Sequence, residues 1–193
     1  MSRPAYDAVV LAGGAARRLG GRDKPAELVG GASLLDRVLA AVPDAGRRVV
    51  VGPVRPVTAA GTAWTREEPP GGGPVAALAA GLVAVSAPTV VVLAADLPFV
   101  SAETVRALLD ALQGDGALLL DAAGRDQPMV SAWRVAPLRA ALAALPTTEG
   151  ASLRRVVGAL DVCRLSLFPL PGKPPPWLDC DTEADLRRAR ELA

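Results

Sequence analysis

Apolar and polar positions alternate along the chain in blocks of two lengths. Ala8-Val9-Val10-Leu11 is a short apolar run, and with its flanks it predicts a buried strand over Asp7 to Ala12. The same signal recurs at Arg48 to Gly52, Thr89 to Ala95, Gly116 to Leu120, Pro128 to Trp133 and Val162 to Phe168, with a short additional strand at Ala63 to Arg66. Between these runs the spacing becomes helical. Ser33-Leu34-Leu35-Asp36 resembles a capping box and opens a helix through Val42, with Leu34, Leu35, Val38 and Leu39 on one face. Pro74 to Ser86, Ser101 to Leu112, 137–145, 151–160 and a charged C-terminal segment capped by Asp181 or Thr182 predict further helices.

Strands alternating with helices imply an α/β fold. The expected form is a three-layer α/β/α sandwich around a mainly parallel, Rossmann-like sheet. No linker or repeat interrupts the 193 residues, so a single domain is expected, with residues 1–100 and 101–193 as its two halves. Apolar residues make up 51% and aromatics 3%, which leaves Ala, Val and Leu to build the core.

Charge excludes several functions. A net charge of +1 gives no broad field for nucleic acid, and so few aromatics leave little to stack bases on. The chain has no histidine, which removes Ser-His-Asp and Cys-His catalysis and the usual zinc and iron ligands. Cys163 and Cys180 are far apart and read as reduced, buried residues of a cytoplasmic protein. Residues 69–95 carry no charge, but Ser86-Ala87-Pro88-Thr89 breaks the run, so it reads as helix, turn and strand rather than a membrane span. No signal peptide is evident.

The candidate chemistry sits in LAGGAARRLGGRDKP, residues 11–25, directly after the first strand. Gly13, Gly14, Gly20 and Gly21 let backbone approach a ligand, and Arg17, Arg18, Arg22 and Lys24 place cations among them. Backbone N–H groups and fixed positive charge together suit phosphates. Lys24 is one of only two lysines, the other being Lys173, which suggests a need for a compact ammonium rather than a planar fork. Asp96 ends an otherwise apolar strand. It suits a magnesium ligand, the plainer reading being a turn aspartate before Leu97-Pro98. Asp179 and Asp181 fall on one face of an extended LDCDTEADL segment, although Asp181 alone could serve as a helix cap. Without histidine, the chemistry best suited is nucleotidyl transfer onto a phosphate, which needs no proton removed from the attacking group. Gly71 to Ala76 also fits GxGxxA, the pattern of an NAD-dependent oxidoreductase, but no buried strand precedes it.

LAGGAARRLGGRDKP, GGGPVAALAAGL, AADLPFV, QPMVSAW and LDCDTEADL resemble, in order and spacing, the motifs of molybdenum cofactor guanylyltransferases and the wider MobA-like nucleotidyltransferases. The resemblance implies a nucleoside triphosphate held by Leu11, Ala12, Gly13 and Gly14, with Lys24 on its phosphates and Asp96 on Mg2+. Gly52 and Glu68 align with further nucleotide-contacting positions, where the family usually has asparagine and aspartate. Arg17 and Lys24 would offset triphosphate charge, and Asp181 would add a second metal contact. The basic C-terminal half, including Arg154 and Arg155, would receive the pterin. LAGG rather than LAAG is similar to the guanylyl enzymes. The implied reaction transfers GMP from GTP to the terminal phosphate of molybdenum-bound molybdopterin, releasing pyrophosphate. Molybdoenzyme-maturation proteins are implied as partners, and nucleic acid and membrane are not. Another nucleotide or acceptor (CTP with molybdopterin, phospholactate, a sugar phosphate or a methylerythritol phosphate) and a non-catalytic nucleotide-binding regulator remain as alternatives.

Overall fold

A computed structural model of the chain describes residues 5–14, 22–167 and 173–193. Its main sheet has seven strands in the order β5-β4-β1-β6-β8-β7-β9. These are β1 (Tyr6–Leu11), β4 (Arg48–Val51), β5 (Thr62–Thr65), β6 (Thr89–Ala94), β7 (Gly116–Leu120), β8 (Asp126–Arg134) and β9 (Val162–Ser166). Every neighbouring pair is parallel except the two made by β8, which runs antiparallel to β6 and β7. The mainly parallel sheet expected from the pattern is present. Strand ends differ from expectation by one or two residues, and Phe168 lies outside the described residues.

Side chains along β1 alternate between two cores, as a strand covered on both faces requires. Ala8 and Val10 pack under α1 (Leu34–Ala40) and α3 (Ala102–Asp110). Val9 and Leu11 pack under α2 (Pro74–Val83), α4 (Val135–Ala143) and α5 (Leu153–Val157). α1, α2, α3 and α5 are shorter than predicted because apolar periodicity runs on into the turns beyond them, whereas α4 keeps its expected length and starts two residues earlier. The charge-free stretch 69–95 divides into a loop, α2 and β6, and among the described residues no helix is long and apolar enough to cross a membrane.

Two local features were not predicted. Lys24–Ala26 forms a single 3-10 turn with Pro25 buried, and a two-stranded hairpin follows, β2 (Leu28–Val29) and β3 (Ala32–Ser33). This hairpin supports α6 (Glu183–Leu192) through a small core of Val29, Leu34, Cys180, Leu186 and Ala189. Thr182, not Asp181, caps α6. Its hydroxyl accepts from Asp185 N–H, and Asp185 accepts from the Thr182 backbone. At α1 only half of the expected box forms. Ser33 Oγ accepts from Asp36 N–H at 3.0 Å, but the Asp36 carboxylate takes the Ser33 hydroxyl and Thr58 instead of the cap backbone.

Candidate active site

From β1 the chain passes through α1 to β4 and β5 on one side, then crosses back through α2 to β6 on the other side of β1. The order therefore reverses between β1 and β6, and open α/β sheets bind ligands outside the carboxyl ends of strands at such a reversal. Leu11 pairs with Ala94 and with Val51, so Gly13, Gly52 and Asp96 leave the sheet side by side. Beyond the strands, Ala12 N–H donates to Val51 O at 2.8 Å and Ala95 N–H donates to Leu11 O at 3.0 Å. Leu11 and Ala12 are buried, whereas Gly13 and Gly14 are exposed and Gly14 takes φ 127°. The two glycines leave the loop open at the sheet edge, and the two residues before them hold it to the sheet.

Gly52 is a glycine for a steric reason. It takes φ 151°, and a Cβ there would stand 2.7 Å from Ala12 O. With Pro53, Arg66 and Glu67 it lines a cavity of about 220 Å³ beside Gly13 and Gly14. Glu68 is exposed, while its neighbour Glu67 is buried in this cavity wall.

Lys24 points at carboxylates. Its Nζ donates to Asp96 Oδ2 and to Asp181 Oδ1, the latter at 2.5 Å. Burial alone would lower the Lys24 pKa, but the charges of Asp96 and Asp181 and their hydrogen bonds outweigh it, and the ammonium is held above the ordinary lysine value. Asp96 Oδ1 is buried with no hydrogen-bond partner. The LDCD segment reaches Asp96 through a backbone bond from Cys180 N–H to Asp96 O. Partial burial, then the charges of Asp181 and Asp96, raise the Asp179 pKa, with Lys24 opposing them. Thus Lys24, Asp96, Asp179 and Asp181 share one electrostatic cluster. Burial pushes the Cys180 thiol up to about 12, so it behaves as a packing residue. Cys163 is only partly buried, where a buried cysteine was expected.

A hard divalent cation fits here on its donor chemistry. Asp96 offers a buried oxygen short of a partner, and Asp181 faces the same ammonium. Among the described residues no three acidic or sulfur ligands converge into a complete cage. Such a cation would take one or two carboxylates here and complete its shell with ligands from outside the protein.

Other predicted residues are placed differently. Arg17 and Arg18 lie outside the described residues. Arg22, expected among the phosphate-binding cations, pairs with Glu183 on α6 and, at 3.5 Å, with Glu27. Arg154 and Arg155 are exposed on α5. The cavity next to Asp179, of about 410 Å³, is instead lined by Arg125, Gln127, Trp177 and Arg188. Arg55 was missed. It donates to Asp23 at 2.8 Å and to Ala12 O at 3.4 Å, tying the base of the cationic loop to the end of β1. Its position just past β4, at the same sheet edge, was the available signal.

A side-chain-poor loop, a lysine and a strand-end carboxylate on adjacent parallel strands define an α/β nucleotide-binding enzyme of the nucleotidyl-transfer class. Residues 8–163 match the MobA-like NTP transferase domain, and the chain belongs to that family; it is a nucleotidyltransferase. It is 32% identical over 213 residues to a molybdenum cofactor guanylyltransferase of Rhodopseudomonas palustris, covering 98% of this chain and 95% of the relative. Among solved structures it is similar to molybdopterin-guanine dinucleotide biosynthesis protein A of Archaeoglobus fulgidus. That match has a TM-score of 0.71 and 19% identity, over 96% of this chain and 97% of the other. The 2-C-methyl-D-erythritol 4-phosphate cytidylyltransferase of Thermus thermophilus is alike in fold, with a TM-score of 0.69 and 23% identity, over 95% and 96% of the two chains. The dinucleotide-binding reading of Gly71 to Ala76 gives way to this family membership. Those residues form the loop and first turn leading into α2 behind an edge strand.

Proposed function

We propose that the protein transfers GMP from GTP to the terminal phosphate of molybdenum-bound molybdopterin, with Mg2+ as cofactor, in the cytoplasm. The full-length likeness to molybdenum cofactor guanylyltransferases supports the substrates. The observation that carries the chemistry is the placement of Gly13 and Asp96 on adjoining strand ends, with the Asp96 Oδ1 oxygen left unpartnered. Asp96 and Asp181 would hold the metal, which when bound supplies charge neutralisation to the triphosphate.

Lys24 and the loop at Gly13 and Gly14 bind and orient the triphosphate. The acceptor lies in the cavity beside Asp179. Trp177 there offers a flat surface for a fused heterocycle, and Arg188 offers charge for an anion. Arg125 and Gln127 are both held by Asp121, at 2.7 and 3.2 Å, which fixes the cavity wall before a ligand arrives. A phosphate monoester oxygen of the acceptor attacks the α-phosphorus of GTP. The bond from that phosphorus to the bridging oxygen breaks, its electron pair leaves with pyrophosphate, and a phosphoanhydride forms. A phosphate monoester is already anionic at neutral pH, so the site needs no general base.

The test is pyrophosphate release from each of GTP, CTP, UTP and ATP, with and without molybdopterin. Release from GTP that depends on molybdopterin is expected. Release from another nucleotide alone would reassign the reaction within the family.

A further inference from the structure

Gln127 lines the cavity beside Asp179, and the proposed reaction leaves its amide without a task. A neighbour fixes how that amide is presented. Asp121 follows β7, and its side chain is only 6% exposed. Its Oδ1 accepts from the Ala123 and Arg125 N–H groups at 2.9 and 3.0 Å. Its Oδ2 accepts from Arg125 Nε at 2.7 Å and from Gln127 Nε2 at 3.2 Å. These donors, the Arg125 backbone N–H foremost, hold the Asp121 carboxyl below its usual value. An ionised carboxylate only accepts, so the Gln127 amide meets it nitrogen first. One Nε2 hydrogen is used there. The other stays beside Oε1, so the amide offers one donor and one acceptor in a fixed order.

We infer that Gln127 reads the pyrimidine edge of the acceptor's pterin, with Asp121 as the positioning residue that sets the direction of the amide. The inference rests on the molybdopterin acceptor proposed above. A pterin presents O4, which accepts, next to N3–H, which donates. The Gln127 amide supplies the complement, Nε2–H to O4 and Oε1 to N3–H, as an amide does on the edge of a nucleobase. Trp177 in the same cavity takes the face of the ring, so stacking supplies affinity and the amide supplies identity. A 2,4-diaminopteridine reverses donor and acceptor at those two atoms. It would set N–H against N–H and lone pair against lone pair, which selects against it by repulsion. Guanine carries the same edge as a pterin, so the nucleotide is the control. It is held at the glycine loop and should not feel Gln127.

The test is equilibrium binding of 6-hydroxymethylpterin phosphate, its 2,4-diamino counterpart and GTP to the full chain and to its Gln127→Met and Asp121→Asn variants. The unsubstituted protein should prefer the pterin by about tenfold, the scale of one hydrogen bond made against one opposed. Gln127→Met keeps the length of the side chain and removes the amide. It should lose about tenfold in pterin affinity, erase the preference and leave GTP affinity unchanged. With molybdopterin and GTP it should raise the KM for the acceptor by about tenfold at nearly constant kcat. In Asp121→Asn the Ala123 and Arg125 N–H groups still require an oxygen at Oδ1, which turns the new NH2 toward Gln127. The Gln127 amide should then turn over, and the preference should reverse toward the diamino compound. A pterin preference kept in Gln127→Met overturns the inference and leaves the molybdopterin reading standing. A pterin preference kept in Asp121→Asn overturns the positioning role. GTP affinity that falls with pterin affinity in Gln127→Met overturns the inference by giving the cavity to the nucleotide. Failure of the unsubstituted protein to bind either pteridine fails this inference and the acceptor reading together.

Discussion

The backbone N–H of Cys180 donates to the carbonyl oxygen of Asp96 at 3.2 Å. Through that bond the C-terminal segment is held against the end of β6, and Asp181 is carried to the Lys24 ammonium that also meets Asp96. The candidate site is therefore assembled from both ends of the chain. Asp96→Ala should cut turnover by at least about 100-fold, the scale expected when a group that offsets developing phosphate charge is removed. Its melting temperature should stay close to that of the unsubstituted protein, because Asp96 Oδ1 has no partner to lose and the Lys24 ammonium released by Oδ2 keeps Asp181. Pyrophosphate release and a thermal melt read the two effects separately.

Lys24 neutralises two carboxylates, so its removal should act on stability as well as on binding. Its side chain is 14% exposed, but Asp181 is 48% exposed, which moderates the repulsion left behind. Lys24→Ala should lower stability by about 1 kcal/mol without metal, below the cost of breaking a fully buried pair. Added magnesium should restore much of the loss, and GTP binding should weaken by about tenfold or more. Lys173→Ala should change neither quantity. Thermal melts with and without magnesium check this, and equal effects of the two lysine variants would contradict it.

Gly52→Ala tests the steric reading of the loop. The added methyl would stand 2.7 Å from Ala12 O in a conformation of positive φ. Strain and backbone displacement should cost roughly 1–3 kcal/mol. The carbonyl that must move is the one Arg55 holds, so nucleotide affinity should fall with stability. Denaturant unfolding and GTP titration measure the pair.

Asp36 supplies a pH-dependent contribution far from the chemistry. Burial tends to raise its pKa, but the Thr58 N–H and the Ser33 and Thr58 hydroxyls outweigh it and hold the carboxyl below its usual value. A depressed folded-state pKa gives stability that is present above the unfolded value and lost as pH falls through the folded one. Asp36→Asn should cost about 1 kcal/mol at neutral pH. The difference from the unsubstituted protein should shrink as pH falls through and below the carboxylate range. A difference independent of pH would contradict the assignment.

Local pattern carried much of this structure. The apolar runs marked all seven strands of the main sheet, since a strand covered on both faces has little choice but Val, Leu and Ala. Gly13, Lys24 and Asp96 were legible for a related reason: each breaks the composition of its surroundings. What escaped depends on long-range placement. That Glu67 is buried and Glu68 exposed turns on which of two adjacent residues faces inward after an edge strand, and no periodicity runs through that turn. Arg55 and Trp177 look like ordinary loop residues until the sheet brings them to one edge. Asp7 shows the opposite hazard. It is a buried acid in an apolar strand, like Asp96 in sequence, yet its carboxylate is filled by Arg47, Ser86 and Ala87 N–H groups at the far end of β1.

In the proposed reaction Gly13, Lys24 and Asp96 together grip a metal-bound triphosphate. Calorimetric titration of GTP into the protein and into Asp96→Asn, each with magnesium and with a chelator, tests it most directly. Magnesium should tighten GTP binding to the unsubstituted protein by about tenfold or more, on the scale of a charge-assisted contact, and Asp96→Asn should lose that gain while keeping its metal-free affinity. An equal magnesium-dependent gain in both proteins would contradict the account.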